Sequence, residues 1–264
     1  MSAALAYDHD DYAVFCEGLK RLAGIDLSHY KRGQMERRLR TFADRKGIKS
    51  LVDYLAFVKN DAGELDQLLD RLTINVSQLW RNPEQWAVLG KSVVPELASG
   101  GRIRIWSAGC SYGAECYTIA AVCLEQAPGA RVEVKGTDID PRMLERAKAG
   151  LFSVEDARTV PAASLERWFD RAVNGWQAKP ELQRLMTFEE ANLLDMRFPP
   201  AAYDLVLCRN TVIYFTEDVR DDLHARLASS TRSGGYFVVG STERVANVSA
   251  VGLTLAHPFT YRKA

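Results

Sequence analysis

Between Asp10 and Leu72, apolar residues return every three or four positions in four stretches: Tyr12 to Leu22, Met35 to Lys46, Leu51 to Lys59 and Glu64 to Leu72. That is the period of helices with one buried face, and Gly24, Gly33, Gly47 and Gly63 punctuate the stretches. Residues 10–72 therefore predict a small all-helical domain, and residues 73–98 a linker followed by a helix. From Arg102 onward the pattern changes to short apolar runs alternating with helical periods. Strands are predicted at Arg102–Trp106, Val132–Gly136, Met186–Glu189, Tyr203–Cys208 and Tyr236–Val239. Helices are predicted at Glu115–Gln126, Met143–Ala149 and Asp218–Leu227, and Leu253–Ala256 with Phe259–Arg262 reads as a closing hairpin or edge strands. Such alternation gives an α/β domain over residues 99–264, a doubly wound, mostly parallel sheet covered on both faces. Only Leu151 to Arg184 breaks the pattern, with aromatics scattered among prolines and charges.

The first predicted strand runs into Ser107-Ala108-Gly109-Cys110-Ser111-Tyr112-Gly113 and then a helix. Gly109 and Gly113 let a ligand approach the backbone of this loop closely. One helix and one strand later, Asp138 stands at a strand end, where doubly wound sheets place the acid that holds ribose hydroxyls. The pattern fits a nucleoside cofactor, and it equally fits a packing turn with a helix cap. Glu115 at the opening of the helix would repel a pyrophosphate, and the G-x-G-x-x-G spacing of a dinucleotide loop is broken. S-adenosylmethionine carries a cationic sulfonium and an ammonium and has no phosphate, so the loop's charge favours it over a nicotinamide dinucleotide.

Composition narrows the classes further. The 34 basic and 34 acidic residues cancel, which argues against a general nucleic-acid binder. Five cysteines without C-x-x-C spacing read as reduced, packed thiols, and the four histidines lack metal-ligand spacing, so no metal is expected. No run has membrane-spanning length and Met1 to Asp11 is not signal-like, so a cytoplasmic protein is expected. Charge is uneven locally: Lys31, Arg32, Arg37, Arg38, Arg40, Arg45, Lys46 and Lys49 face only Glu36 and Asp44 between positions 31 and 49. On a helical wheel Lys31, Arg38 and Arg45 share one flank, either a solvated face or a docking surface for an acidic partner.

Four blocks together resemble the chemotaxis receptor methyltransferases, the CheR family. They are Ile103 to Ala120, Thr73 to Arg81, Asn192-Leu193-Leu194, and Cys208-Arg209-Asn210-Thr211-Val212-Ile213-Tyr214-Phe215. The first is similar to W-S-A-G-C-S-x-G-E-E-P-Y-S-I-A, with Ala114 in place of the first glutamate and Cys116 in place of the proline. The resemblance implies a class I methyltransferase sheet and a protein-glutamate O-methyltransferase. Its cofactor would be S-adenosylmethionine, its product S-adenosylhomocysteine, and its targets glutamates on the cytoplasmic helices of chemoreceptors. It implies that Asn75, Ser77 and Arg81 contact the cofactor, that Arg81 also reaches the reaction centre, and that Tyr214 lines the methyl-transfer site. The helix within 73–98 would help cover the cofactor cleft. Asn192 and Leu193 follow the third strand, where they could grip adenine or form an Asx turn with a core leucine. Arg209 and Asn210 stand at another strand's carboxyl end, facing the crevice. The basic flank Lys31, Arg38 and Arg45 would meet the receptor's helical bundle, recruiting the enzyme to membrane receptor arrays. Residues 151–185 would hold a small β subdomain, which in some members binds a receptor's C-terminal peptide. Two other readings stay open, a cofactor-binding scaffold without catalysis and a nicotinamide oxidoreductase.

Overall fold

The computed structural model describes residues 10–72 and 77–264. They form two units, one of residues 10–72 with Tyr214–Val219, the other of residues 77–213 with Arg220–Ala264.

The first unit is built from α1 (Asp11–Ala23), α2 (Arg32–Arg45), α3 (Leu51–Asn60) and α4 (Ala62–Leu72). Asp10 and Ser50 cap α1 and α3 by accepting backbone N–H groups of the first turn, and Gly24 closes α1 at φ +71°. Phe15, Leu19, Met35, Leu39, Leu51, Tyr54 and Leu68 form the core. Gly18 permits close contact of α1 with α3, since a Cβ there would fall 2.1 Å from Leu55 Cδ2. Two glycines that punctuate the sequence pattern, Gly33 and Gly63, lie inside the first turns of α2 and α4. First-turn amides have no intrahelical partner in any case, so glycine costs little order there.

The second unit begins with α5 (Pro83–Val88), a π-helical turn (Leu89–Val93) and α6 (Val94–Ala98). Then follow β1 (Arg102–Ala108), α7 (Ala114–Gln126), β2 (Arg131–Asp138) and α8 (Pro141–Ala149). After an inserted segment come β6 (Met186–Glu190), β7 (Tyr203–Cys208), α11 (Glu217–Ser230), β8 (Thr231–Val239), β9 (Leu253–His257) and β10 (Thr260–Lys263). The seven strands lie in the order β6-β2-β1-β7-β8-β10-β9, parallel from β6 to β8 with an antiparallel hairpin at one edge. This is the doubly wound, mostly parallel sheet that the sequence pattern predicts. Strand order reverses at β1, which pairs with β2 on one side and β7 on the other, so the crevice opens beyond the carboxyl end of β1. From Ala114 to Cys123 every residue of α7 is buried, because α6, the π turn and β2 all pack around it.

Pattern reading places β8 at Tyr236, yet the strand starts at Thr231. Its register with β7 slips around Gly234 and Gly235, and this bulge hides the alternation. The segment after α8 contains β3 (Leu151–Ser153), α9 (Ala162–Trp168), β4 (Phe169–Ala172), β5 (Gly175–Ala178) and α10 (Pro180–Gln183). Its three strands form a separate antiparallel sheet, β3-β5-β4. Among the described residues no helix is long and apolar enough to cross a membrane.

His224 of α11 is buried against the Phe237 ring, and neither ring nitrogen has a hydrogen-bond partner. Burial, with help from the Arg220 cation, lowers its pKa from 6.5 to about 4. Between these values the unfolded chain takes up a proton that the folded chain refuses. The stability due to neutral His224 is complete above pH 6.5 and is lost as pH falls toward 4, about 3 kcal/mol over the window. Thermal melts at pH 7.5 and 5 should therefore differ less for His224→Leu than for wild type.

Candidate functional site

Four segments of the second unit meet at the carboxyl end of β1. The first is the strap at residues 77–81 before α5. The others are the loop after β1, the end of β2 and the turn after β7. The loop hangs from β2: the amides of Gly109 and Cys110 both donate to the Thr137 carbonyl, at 2.8 and 2.9 Å. Gly109 adopts φ +78°, and a Cβ there would lie 2.5 Å from Thr211 Oγ1 in the β7 turn, so this position excludes any side chain.

Asp138 is buried at the end of β2. Its carboxylate accepts the Ser111 amide at 2.7 Å and the Asp140 amide at 3.0 Å. A carboxylate has about four lone-pair sites, so capacity for a hydroxyl donor remains beyond these backbone amides. Burial raises its pKa above the usual carboxylate value, and the backbone amides partly offset that rise.

Glu115 lies at the opening of α7 with both oxygens engaged. Ser107 Oγ donates to Oε1 at 2.7 Å, and Arg209 Nη1 donates to Oε2 at 3.2 Å. Arg209 is the hub of the site. Its guanidinium donates to Gln85 Oε1 at 2.8 and 3.0 Å, to Asn82 Oδ1 at 3.2 Å and to the Arg81 carbonyl at 2.8 Å. It also lies 4.7 Å from the Trp86 ring centre. Position at a strand end suggests a side chain reaching into the crevice. Instead these five bonds turn Arg209 inward, under the strap.

Arg81 is half-buried. Its carbonyl is held by Arg209 and by Trp86 Nε1 at 2.9 Å. Its neighbours Trp80 and Asn82 have φ of +52° and +60°. Ser111 and Asn210 also have positive φ, at +49° and +59°. Three of the seven such non-glycine residues among those described therefore fall in the site segments, and Asn82 directly follows the strap, a concentration of backbone strain expected where geometry is imposed for function.

The other expected residues are placed as follows. Ser77 meets the loop through its carbonyl, which accepts the Tyr112 hydroxyl. Asn75 lies outside the described residues. Asn192 is brought beside Asp138 by the Ala191 amide, which donates to the Asp138 carbonyl at 2.9 Å. Its own side chain forms an Asx turn with the Leu194 amide at 3.0 Å and donates to Asp195, and Leu193 is buried, so the local alternative for this pair is what the side chains adopt. The Asn210 amide donates to Glu243 Oε2 at 2.8 Å.

Tyr214 belongs to the helical unit, although sequence pattern places it in the domain of residues 99–264. Lys31 N donates to the Tyr214 carbonyl, Thr216 N donates to the His29 carbonyl, and Tyr30 pairs with Phe215 as an antiparallel bridge. Lys31, Gln34, Met35, Arg37, Arg38 and Tyr214 line a cavity of about 270 Å³. Arg38 is half-buried, its Nη2 donating to the Arg71 carbonyl at 2.6 Å, while Arg37 and Arg45 are exposed. The outward part of the basic flank thus includes Arg37, which the helical wheel did not single out.

Sequence reasoning missed Gln85, Ser107, Tyr112 and Glu243. Glu243 is buried just beyond β8, and it accepts the Gly240 amide at 2.6 Å as well as that of Asn210. The rule that picked out Arg209, a polar residue past a strand's carboxyl end, could have found it. Glu115, Asp138 and Glu243 are three buried carboxylates; Arg209, also buried, is bonded to Glu115, and its charge acts on Glu243. That donor set suits a cationic ligand carrying a ribose, and it disfavours a pyrophosphate. S-adenosylmethionine fits it.

Residues 75–255 match the CheR methyltransferase SAM binding domain, and residues 10–73 match the CheR methyltransferase all-alpha domain. A chemotaxis protein methyltransferase of Listeria innocua is 34% identical over 256 residues, spanning 96% of this chain and 97% of the relative. Chemotaxis protein methyltransferase 1 of Pseudomonas aeruginosa is 34% identical over 260 residues, spanning 94% and 93%. A Salmonella typhimurium chemotaxis protein methyltransferase is 28% identical over 258 residues, spanning 94% and 88%.

Proposed function

The chain belongs to the CheR methyltransferase family of S-adenosylmethionine-dependent enzymes, and from that premise we propose that it esterifies glutamate side chains on the cytoplasmic helices of chemoreceptors. The observation that carries this reading is the bonded continuity of the site. Asp138 holds the loop, the loop meets the strap, and Arg209 joins Glu115 to the carbonyl of Arg81.

Bound S-adenosylmethionine supplies an electrophilic methyl group on cationic sulfur. A substrate glutamate is already a carboxylate near neutral pH, so no residue has to remove a proton. The protein's work is alignment and exclusion of water. Asp138 takes the ribose hydroxyls on its spare lone pairs. Ser77, Gly109 and Asn210 would border the cofactor, as would Asn75, Asn192 and Leu193 in the family's pattern. Glu115 acts through Arg209, fixing the guanidinium that holds the Arg81 carbonyl. Arg81, on a backbone fixed from both sides, orients the incoming carboxylate. In the family's pattern Tyr214 would line the methyl-transfer site. In the helical unit, Lys31, Arg37, Arg38 and Arg45 attract an acidic helix, an attraction that salt weakens.

A scaffold without catalysis is less well supported, because Ala114 and Cys116 are packed in the core while Arg81, Glu115, Asp138 and Tyr214 are all retained. The test is transfer of labelled methyl from S-adenosylmethionine to purified receptor cytoplasmic fragments. Label released as methanol in alkali is expected. Alkali-stable label would exclude an ester, and tight cofactor binding without transfer would leave the scaffold.

A further inference from the structure

The inserted segment between α8 and β6 touches the strap at several points. The Leu79 amide donates to the Asp156 carbonyl at 3.0 Å, and Thr159 Oγ1 donates to the Leu79 carbonyl at 2.7 Å. The Tyr112 hydroxyl, from the cofactor loop, faces two acceptors, the Ser77 carbonyl and Asp156 Oδ1, the latter at 2.8 Å. Arg146 of α8 fixes both partners: Nη2 donates to Asp156 Oδ2 at 3.0 Å, and its guanidinium carbon lies 3.8 Å from the Tyr112 ring centre. The Ser153 amide donates to Asp156 Oδ2 at 2.9 Å, so the carboxylate is oriented from its own turn as well.

We propose that Tyr112 and Asp156 are positioning residues that brace the strap carrying Ser77 and Arg81 against the cofactor loop, giving the inserted sheet a part in transfer. The strap offers backbone groups, and the insert and the loop hold them. Tyr112 is buried, and burial together with the Asp156 carboxylate raises its pKa above the ordinary phenol value, which keeps the hydroxyl a donor. A strap released by a fraction of an ångström would misplace Ser77 against the cofactor and Arg81 against the substrate together.

The inference rests on the family reading for the role of Arg81, but its first test does not. Calorimetry with S-adenosylhomocysteine should show Tyr112→Phe weakening affinity about tenfold, with the melting temperature of the ligand-free protein lowered by no more than about 4 °C, because one hydrogen bond contributes about 1 kcal/mol and the ring and its packing remain. Asp156→Ala should cause a similar loss. Asp156→Asn, which keeps an acceptor for the hydroxyl, should recover to within about threefold of wild type. Tyr112→Phe combined with Asp156→Ala should lose less than the sum of the two single losses, since both weaken the same hold on the strap. With receptor fragments, kcat should fall in parallel. Affinity within twofold of wild type in both single variants would overturn the inference, as would additive losses or losses that track a lower melting temperature. Wild-type protein that binds S-adenosylhomocysteine but methylates no receptor fragment would sink the proposed substrate and leave the brace testable by affinity.

Discussion

Replacing Arg81 with alanine should lower methyl transfer to a receptor fragment 100- to 1,000-fold while leaving the melting temperature within about 2 °C of wild type. The backbone at this position is secured without the side chain: Trp86 Nε1 and Arg209 Nη2 hold its carbonyl, and its amide donates to Gln78 O at 3.3 Å. Truncation leaves those bonds in place and opens no core cavity, since Arg81 is half-exposed. On the proposed reading, what is lost is the cation that orients an anionic nucleophile, and an oriented ionic contact of this kind accounts for about 3–4 kcal/mol of barrier. Arg81→Lys should recover only part of the rate, because an ammonium cannot grip a carboxylate through two parallel bonds. Single-turnover measurements with saturating cofactor separate this from weaker S-adenosylmethionine binding. Wild-type turnover in Arg81→Ala would remove the residue from the reaction.

The strand positions and the acid at the end of β2 were legible because burial writes itself into period. Ile103 and Ile105 alternate with arginines, Leu205 to Cys208 is a continuous apolar run between two strands, and Asp138 ends a third. The insert's elements were not legible in the pattern, and only the family resemblance pointed to a β subdomain there. Its strands and helices are three to seven residues long, shorter than the window in which either period declares itself. Arg209 was correctly placed at a strand's carboxyl end, but the direction it faces is decided by Gln85 and Arg81, 124 and 128 positions away in sequence. The positive φ at Trp80 and Ser111 belongs to the same class. Neither residue favours that conformation locally, so only the surrounding bonds specify it. Sequence pattern reports which residues are inside far better than which polar groups find one another.

Arg209→Met should destabilise the protein by about 3–5 kcal/mol, a fall of roughly 10 °C in melting temperature, and should also cost activity. The pair with Glu115 is almost dry, with side-chain exposures of 3% and 10%, so removing the arginine strands a carboxylate among apolar neighbours. The two effects have different causes, and a second substitution separates them. In Arg209→Met with Glu115→Gln, the buried charge is gone, and most of the stability should return. Activity should not return, because the carbonyl of Arg81 still lacks the donor that ties it to the sheet, and Asn82 and Gln85 lose their shared partner. Thermal melts and methyl-transfer rates on the two variants suffice. If the double variant regained wild-type turnover, Arg209 would be only a counter-ion to Glu115. If it stayed as unstable as the single variant, the stranded charge would not be the source of the loss. A buried ion pair is a poor way to gain stability when methionine fills similar space. Its value here lies in the fixed directions of a guanidinium's donors, three of which converge on the strap and α5 while a fourth points back to the loop helix. An apolar side chain could fill that volume, but it could not hold a carbonyl at a set distance from the crevice.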